Sequence, residues 1–567
     1  MEKIWLKHYD PGVPYTIDYP QMTLQQLLEE SVRRFPDHTA VIFPGRFGDS
    51  YQLSYRKLNQ QANRLANALI NLGVKKGDRV TLLLPNCPQF VISYYAVLKV
   101  GGIVVATNPL YSPREMEYQL KDCGAETIIL LSLFYPTIAE LKEQTNLRNL
   151  VVTNVKEYLP PLTRLLFTLF RERKEGHRVD ISGAKDTYSF RDLLRRFDPA
   201  PPSVSVGPED VAMFQYTGGT TGLSKAAVAL HRNVVANVFQ MRAWAEPVGR
   251  KEGEEVVLGV MPLFHVYGMV TVMHFSVLTG SAMVLLPRFE TEQVLKAINR
   301  YKPAFFPGVP TMYVAINSHP KVSKYNLRSI EACVSGAAPL PLEVQQRFEE
   351  LTEGKLAEGY GLSEAPVVVT ANPIVGKGKL GSIGVPFPDV EARIMDVETG
   401  EREMPVGEVG ELAVRAPQVM KGYWNRSEET AAVLRQDWLY TGDLAKMDED
   451  GFFSIVDRKK EMIIAGGFNI YPREVEEVLY EHPKVKEAVC FGVPDPYRGE
   501  TVKVCIVLRE GEGATHEEIT EFCRARLARF KVPKLVEFRK ELPKSLVGKV
   551  LRRVLVEEEK AKLEKTP

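Results

Sequence analysis

The chain has 567 residues, 45% of them hydrophobic, enough for large buried cores and, by ordinary domain lengths, about three or four domains. Lys and Arg total 72 against 71 Asp and Glu, a formal net charge of +1, so no global field draws the chain to nucleic acid or to an acidic membrane. The six cysteines (Cys87, Cys123, Cys333, Cys490, Cys505, Cys523) form no C-x-x-C pair, which suits reduced thiols in a cytoplasmic protein and speaks against a zinc site or disulfide framework. Residues 1–7 lack an apolar signal core, so secretion is not expected.

In chain order, Leu24, Leu27, Leu28 and Val32 fall at helical spacing between Thr23 and Phe35. Tyr51-Gln52-Leu53 reads as a strand. Ser54 then caps a helix that buries Leu58, Ala62, Leu65 and Leu69 and ends before Gly73. Val80–Leu84, Ile103–Ala106 and Ile128–Leu131 read as buried strands, with a helix over Gln89–Val100 and a capping box at Ser112-Pro113-Arg114-Glu115. Strands alternating with helices predict an α/β fold with parallel layers.

From Leu159 to Lys174, Leu162, Leu165, Leu166, Phe167, Leu169 and Phe170 are crowded among Arg164, Arg171, Arg173 and Lys174. This is a basic amphipathic helix, fitted either to a membrane surface or to a face of its own domain. Val256 to Pro287 carries no Asp, Glu, Lys or Arg. Pro262, Gly268 and Gly280 break it, and His265 and His274 sit inside it, so a loop, a buried helix and a buried strand are expected there and not a membrane span. The last hundred or so residues read as a separate α/β unit. Pro472 opens a helix with Val475, Val478 and Leu479 inward, Val485–Gly492 is a strand, and Val502, Val504, Ile506 and Leu508 alternate along another. Thr515 to Glu518 forms a capping box for a helix with Ile519, Phe522 and Leu527. Repeats and low-complexity tracts do not occur.

The stretch with most chemistry is Tyr216-Thr217-Gly218-Gly219-Thr220-Thr221-Gly222-Leu223-Ser224-Lys225, after the apolar strand Val211–Phe214. Its glycines let backbone N–H groups approach an anion, its hydroxyls add donors, and Lys225 adds a point charge. G-x-x-x-x-G-K-[ST] is not met, because Lys225 lies three residues after Gly222, so an ordinary phosphate-loop NTPase is disfavoured.

This stretch resembles the phosphate loop of the adenylate-forming superfamily: acyl-CoA synthetases, firefly luciferase and peptide-synthetase adenylation domains. The likeness recurs in order at Gly359-Tyr360-Gly361-Leu362-Ser363-Glu364, Tyr440-Thr441-Gly442-Asp443, Asp457-Arg458-Lys459-Lys460-Glu461 and Pro543-Lys544-Ser545-Leu546-Val547-Gly548-Lys549. It is nearest to bacterial long-chain fatty acyl-CoA synthetases. The resemblance implies a large N-terminal domain of layered α/β subdomains (1–457) that binds AMP and the acyl chain. A small mobile α+β C-terminal domain (458–567) would carry the catalytic Lys549.

The resemblance further implies that Thr217, Gly218, Gly219, Thr220, Thr221, Gly222 and Lys225 hold ATP phosphates. Gly336, Ala337, Ala338, Pro339, Gly359, Tyr360 and Gly361 would border the adenine, with Tyr360 stacked on the base. Asp443 and Arg458 would take the ribose. Thr220 and Glu364 would hold Mg²⁺, and Lys460 would be the hinge. Gly466, Gly467 and Phe468 would line the coenzyme A tunnel, and His265, Met269 and Gly308 would face the acyl pocket. The implied activity is ATP-dependent conversion of long-chain fatty acids to acyl-adenylate and then acyl-CoA. The implied catalytic groups are Lys549, His265 and Glu364. The small domain would rotate between the two steps. A medium-chain, aryl or carrier-protein acid ligase, and a nonenzymatic acyl-nucleotide binding protein, are the alternatives. A homodimer and contact with the inner face of the cell membrane through 159–174 are further expectations.

Overall fold

The computed structural model describes residues 3–217, 224–249, 251–465, 468–495, 498–544 and 550–563. The chain falls into two compact units. The larger comprises 6–390 and 416–432, and the smaller 1–5, 391–415 and 433–567. The smaller unit therefore begins ahead of the 457/458 division expected from the motifs.

In the larger unit, strands Arg79–Leu83, Ile103–Ala106 and Thr127–Leu131 lie parallel, continued by Asn149–Thr153 and Thr187–Ser189 on one side and by Val211–Thr217 on the other. Their near-continuous apolar runs are what strands covered on both faces require. Beyond Val211–Thr217 the pairing turns antiparallel, through Lys225–Leu230 to Gly422–Tyr423. Helix Pro88–Lys99 is buried along its whole length. A second sheet orders Val256–Gly259, Ala282–Leu285, Thr39–Pro44 and Ser50–Ser54, and a third orders Ala332–Ser335, Lys355–Leu362, Ala365–Ala371 and Val385–Pro386. Single parallel bridges Val257↔Phe305, Phe305↔Ala332 and Gly308↔Ser335 join the second to the third. The α/β class with parallel layers stands.

Local signals hold where the chain itself supplies the partner. Ser54 Oγ accepts from the Lys57 N–H at 3.4 Å, and the Ser112–Glu115 capping box closes in both directions at 2.7 and 3.4 Å. The uncharged run becomes strand Val256–Gly259, a loop, a π-helical turn Met269–His274, helix Phe275–Thr279 and strand Ala282–Leu285. No helix among the described residues is long and apolar enough to cross a membrane. The basic amphipathic stretch forms a shorter helix than expected, Pro161–Phe170. It rests on Thr163 and Phe167, the latter against His177 with ring centroids 5.6 Å apart. All six cysteines are buried free thiols.

Among the described residues the smaller unit contains two sheets. One orders Glu391–Met395, Gly410–Arg415, Trp438–Met447 and Leu434–Arg435, with Phe453–Arg458 paired to Trp438–Met447. The other orders Phe468–Ile470, Ile463–Ala465, Gly499–Leu508 and Val485–Asp495, with Leu535–Phe538 alongside Gly499–Leu508. Helices Pro472–Tyr480 and His516–Arg524 cover its core through Val475, Leu479, Ile519 and Cys523. Thr515 caps its helix by accepting from the Glu518 N–H at 3.2 Å, while the Glu518 carboxylate turns to Lys484 at 2.7 Å, so only half of the expected capping box forms. Leu527 lies past the end of that helix yet still packs on the core.

Candidate active site

In the larger unit the phosphate-loop stretch joins two antiparallel strands in which Thr217 pairs with Lys225, so it is a hairpin connection and not the strand-to-helix turn of an NTPase. Gly218, Gly219, Thr220, Thr221 and Gly222 lie outside the described residues. Ser224 Oγ donates to the Thr217 carbonyl at 2.6 Å and Tyr118 OH donates to the Ser224 carbonyl at 3.0 Å, which pins both ends of the hairpin. Lys225 Nζ forms an ion pair with Glu429 and stands 5.0 Å from the centroid of the Tyr423 ring.

His265 caps the short helix Val266–Gly268. Its Nδ1 accepts from the Tyr267 N–H at 3.2 Å. Burial pushes its pKa down to about 4, so the ring is neutral at pH 7. A neutral ring that accepts at Nδ1 carries its proton on Nε2, which makes Nε2 a hydrogen-bond donor. Glycine at 268 is forced, since a Cβ there would lie 2.4 Å from the Pro262 carbonyl oxygen. Met269 is buried and opens the π-helical turn, a distortion common at functional sites.

Tyr267, which no motif marked, draws three expected segments together. Its hydroxyl donates to the Val334 carbonyl at 2.6 Å and lies 3.2 Å from the Gly308 carbonyl. Gly308 N–H donates to Val334 O at 3.1 Å, and Gly336 N–H to Gly308 O at 3.2 Å. The His265 loop, Gly308 and the start of Gly336-Ala337-Ala338-Pro339 therefore share one set of bonds. Ala337 holds φ +67°, a left-handed conformation that costs a non-glycine residue free energy and occurs where the fold over-determines the backbone.

The hairpin Lys355–Leu362/Ala365–Ala371 carries Gly359, Tyr360, Gly361 and Glu364. Glycine at 361 is obligatory, because a Cβ would fall 1.6 Å from the Val367 carbonyl oxygen. Tyr360 is half-buried and pairs with Thr370. Glu364 occupies the turn between Leu362 and Ala365. Tyr423 OH donates to its Oε1 at 2.8 Å, and its carbonyl accepts from the Met420 N–H at 2.8 Å. No group of three or more His, Cys, Asp or Glu converges on a metal position among the described residues. Mg²⁺ carried on a nucleotide commonly takes only one or two protein carboxylates, and Glu364 would fit such a group. Thr220, the other expected ligand, lies outside the described residues.

In the smaller unit, Asp443 and Arg458 face each other across paired strands, with Arg458 Nε 3.1 Å from Asp443 Oδ1. The pair expected at the ribose is thus assembled by strand register. Gly442 precedes it at φ +72°, and Glu411, also missed in the sequence, holds the turn. Its Oε1 accepts from the Gly442 N–H at 3.1 Å and its Oε2 from Lys459 Nζ at 2.8 Å. Lys460 is exposed. Arg552 is bonded to Glu461 and Glu476, and its Nη1 is 3.8 Å from Asp457 Oδ1. Burial raises the Asp457 and Glu476 carboxyls above their usual range. Lys549, Gly466, Gly467 and the Phe468 side chain lie outside the described residues. The ends of the lysine loop are joined by the bridge Lys544↔Val550 and by the Leu551 N–H to Pro543 carbonyl bond at 2.8 Å.

Residues 28–424 match the model of the AMP-binding enzyme family and residues 474–549 that of the AMP-binding enzyme C-terminal domain. A long-chain-fatty-acid–CoA ligase of Bacillus subtilis is 50% identical over 560 residues, 98% of either chain. One of Escherichia coli is 38% identical over 570 residues, covering all of both chains. Among solved structures, ATP-bound MatB from Rhodopseudomonas palustris superposes with a TM-score of 0.82 at 27% identity, over 95% of this chain and 99% of that one.

Proposed function

The chain belongs to the AMP-binding enzyme family, and from that premise we propose that it is an ATP-dependent long-chain fatty acid–CoA ligase, as its curated relatives are named. The observation that carries the reading is the Tyr267 hydroxyl. It binds the histidine loop to Gly308 and to the strand ahead of Gly336, so the segments proposed for the acyl chain and for the adenine share one set of hydrogen bonds.

The chemistry follows from a poor electrophile. A carboxylate resists a thiol because its leaving group would be oxide. In the first step the fatty carboxylate oxygen attacks the α-phosphorus of ATP, and the bond to the bridging oxygen of pyrophosphate breaks. In the second, the coenzyme A sulfur attacks the acyl carbon, the bond to the AMP oxygen breaks, and the thiol proton passes to solvent or a base. His265, neutral and with Nε2 as donor, orients the fatty carboxylate without adding a charge that would dull its nucleophilicity. Lys225, Thr217 and the loop between them hold the phosphates. Glu364 and Thr220 would hold Mg²⁺, which would supply positive charge against the leaving pyrophosphate. Tyr360 keeps the base-stacking role, and Asp443 and Arg458 the ribose role, that the family resemblance implies. Lys549, Lys460, Gly466, Gly467 and Phe468 keep the roles the family resemblance implies: catalytic cation, hinge and coenzyme A tunnel.

The test is ATP- and coenzyme A-dependent AMP release across saturated acids from acetate to stearate, with benzoate and coumarate included. A maximum at long chains is expected. A maximum at aryl or short acids would overturn the substrate class and keep the mechanism. No AMP with any acid would overturn the enzyme. In the same assay Lys549→Ala should lose roughly two to three orders of magnitude in adenylation while converting preformed acyl-adenylate to thioester at the wild-type rate; loss of both steps would refute that division of labour.

Helix Pro161–Phe170 supports contact with an anionic bilayer as part of the same reading. Leu162, Leu165, Leu169 and Phe170 are 54–70% exposed, and Arg173, Lys174 and Arg178 are exposed just beyond them. An apolar face flanked by cations suits the headgroup boundary of a membrane that holds the substrate. Leu165→Gln/Leu169→Gln should abolish co-sedimentation with phosphatidylglycerol vesicles without changing turnover of a soluble acid; equal binding to neutral vesicles, or unchanged binding, would remove the membrane role. A homodimer belongs to the same family expectation, and sedimentation equilibrium measures it.

A further inference from the structure

Tyr423 touches two site groups that are far apart in the chain. Its hydroxyl donates to Glu364 Oε1 at 2.8 Å, and its ring lies beneath Lys225 Nζ at 5.0 Å from the centroid. Its backbone is fixed from both directions. It pairs with Ala227 on the strand that begins at Lys225, and its N–H donates to Thr430 Oγ1 at 2.9 Å. Thr430 follows Glu429, the residue ion-paired with Lys225. Glu429 also has a second cation at hand, with Arg426 Nε 3.6 Å from its Oε1. Arg426 is anchored by Asp122 Oδ1 at 3.0 Å, and Asp122 in turn accepts from Tyr216 OH at 2.7 Å.

We propose that Tyr423 is a positioning residue shared by the phosphate-loop lysine and the Glu364 carboxylate, and that Glu429 is the counter-anion which a nucleotide phosphate displaces from Lys225. The inference rests on the reading of Lys225 and Glu364 as nucleotide-site residues. A lysine ammonium offers donors and no acceptor, so it can take a carboxylate before the nucleotide and a phosphate after. The exchange is cheap because a released Glu429 keeps Arg426 and does not become an orphaned charge. The Tyr423 ring keeps the ammonium in place through the exchange, since cation–π attraction is indifferent to which anion sits on the other side. Its hydroxyl holds Glu364 in one orientation, so that a metal-bearing nucleotide meets a preset carboxylate.

The experiment is calorimetric binding of ATP to the full chain without fatty acid, once in Mg²⁺ and once in EDTA, for the wild type, Glu429→Gln, Tyr423→Phe and Lys225→Ala. Glu429→Gln should tighten binding about two- to five-fold in both media, the worth of a partly exposed ion pair. Tyr423→Phe keeps the ring and loses the hydroxyl. It should weaken binding roughly ten-fold in Mg²⁺, the worth of a hydrogen bond to a carboxylate, and leave binding in EDTA unchanged. The proposal is overturned if Glu429→Gln binds ATP as the wild type does or more weakly, or if Tyr423→Phe loses equally in both media, as a merely structural tyrosine would. Should Tyr423→Phe not fold, the Glu429→Gln result decides. Lys225→Ala separates the two layers. Unchanged ATP binding there removes the nucleotide-site reading itself, whereas weakened binding with inert Tyr423 and Glu429 variants removes only this inference.

Discussion

His265 and His274 lie nine residues apart on one uncharged run, and burial depresses both, to about 4 and about 3. Their hydrogen bonds differ. His274 has Tyr95 OH 3.1 Å from Nδ1 and Tyr94 OH 3.1 Å from Nε2, both tyrosines fully buried on helix Pro88–Lys99. One donor and one acceptor on the ring meet two hydroxyls, and its hydrogen-bonding capacity is filled. His265 spends Nδ1 on a backbone N–H two residues on, and among the described residues Nε2 meets no partner. A displaced pKa therefore does not separate a functional histidine from a structural one; these two differ in what their ring nitrogens meet.

Substitution should pull the pair apart. His265→Ala is expected to lower turnover about 100-fold, the scale of one positioned donor at a reacting oxyanion, with little change in melting temperature. His274→Ala should leave turnover of the folded enzyme within a few-fold yet cost about 3 kcal/mol of stability, from the cavity and two orphaned hydroxyls. Thermal melts and steady-state AMP release on both variants check this; matching losses of activity would erase the distinction. A shared effect appears with pH. Both histidines, with His231, which burial lowers to about 4, are neutral when folded and titrate near 6.5 when unfolded. The unfolded chain then binds more protons, so the stability these groups contribute is complete above pH 6.5. It declines as pH falls toward 4, by up to about 4 kcal/mol per pH unit if all three act. Denaturant midpoints between pH 7.5 and 5 measure the slope, and His274→Gln should make it shallower by one proton.

Most of the fold was legible because its determinants are local. Ser112 and Glu115 are three residues apart and close their own box, and Val80–Leu84 and Ile128–Leu131 are apolar enough to demand cover on both faces. Features that the local sequence does not display depend on distant groups. The Thr515 box stays half open because Glu518 finds Lys484, on another element. The compact smaller unit takes in 391–415 and 433–457 because strand pairing, which leaves no mark in the chain order, joins Gly410–Arg415 and Phe453–Arg458 to Trp438–Met447.

The candidate site divides in the same way. Gly361, Glu364, Asp443 and Arg458 stand in motifs whose spacing is chemical, and the chain order was enough to mark them. Tyr267, Glu411, Tyr423 and Glu429 carry no motif, and an aromatic or acidic residue beside a glycine is too common to be a signal. They matter only because folding places a hydroxyl against a carbonyl or a carboxylate, or a carboxylate against a lysine, across separations of about 50 to 200 residues, at Glu411–Lys459, Tyr423–Glu364, Tyr267–Val334 and Glu429–Lys225. Residue type and spacing decide which groups can do the chemistry, since acidity, charge and backbone freedom belong to the residue. Orientation and neutrality belong to the packed surroundings, and only the tertiary structure supplies them.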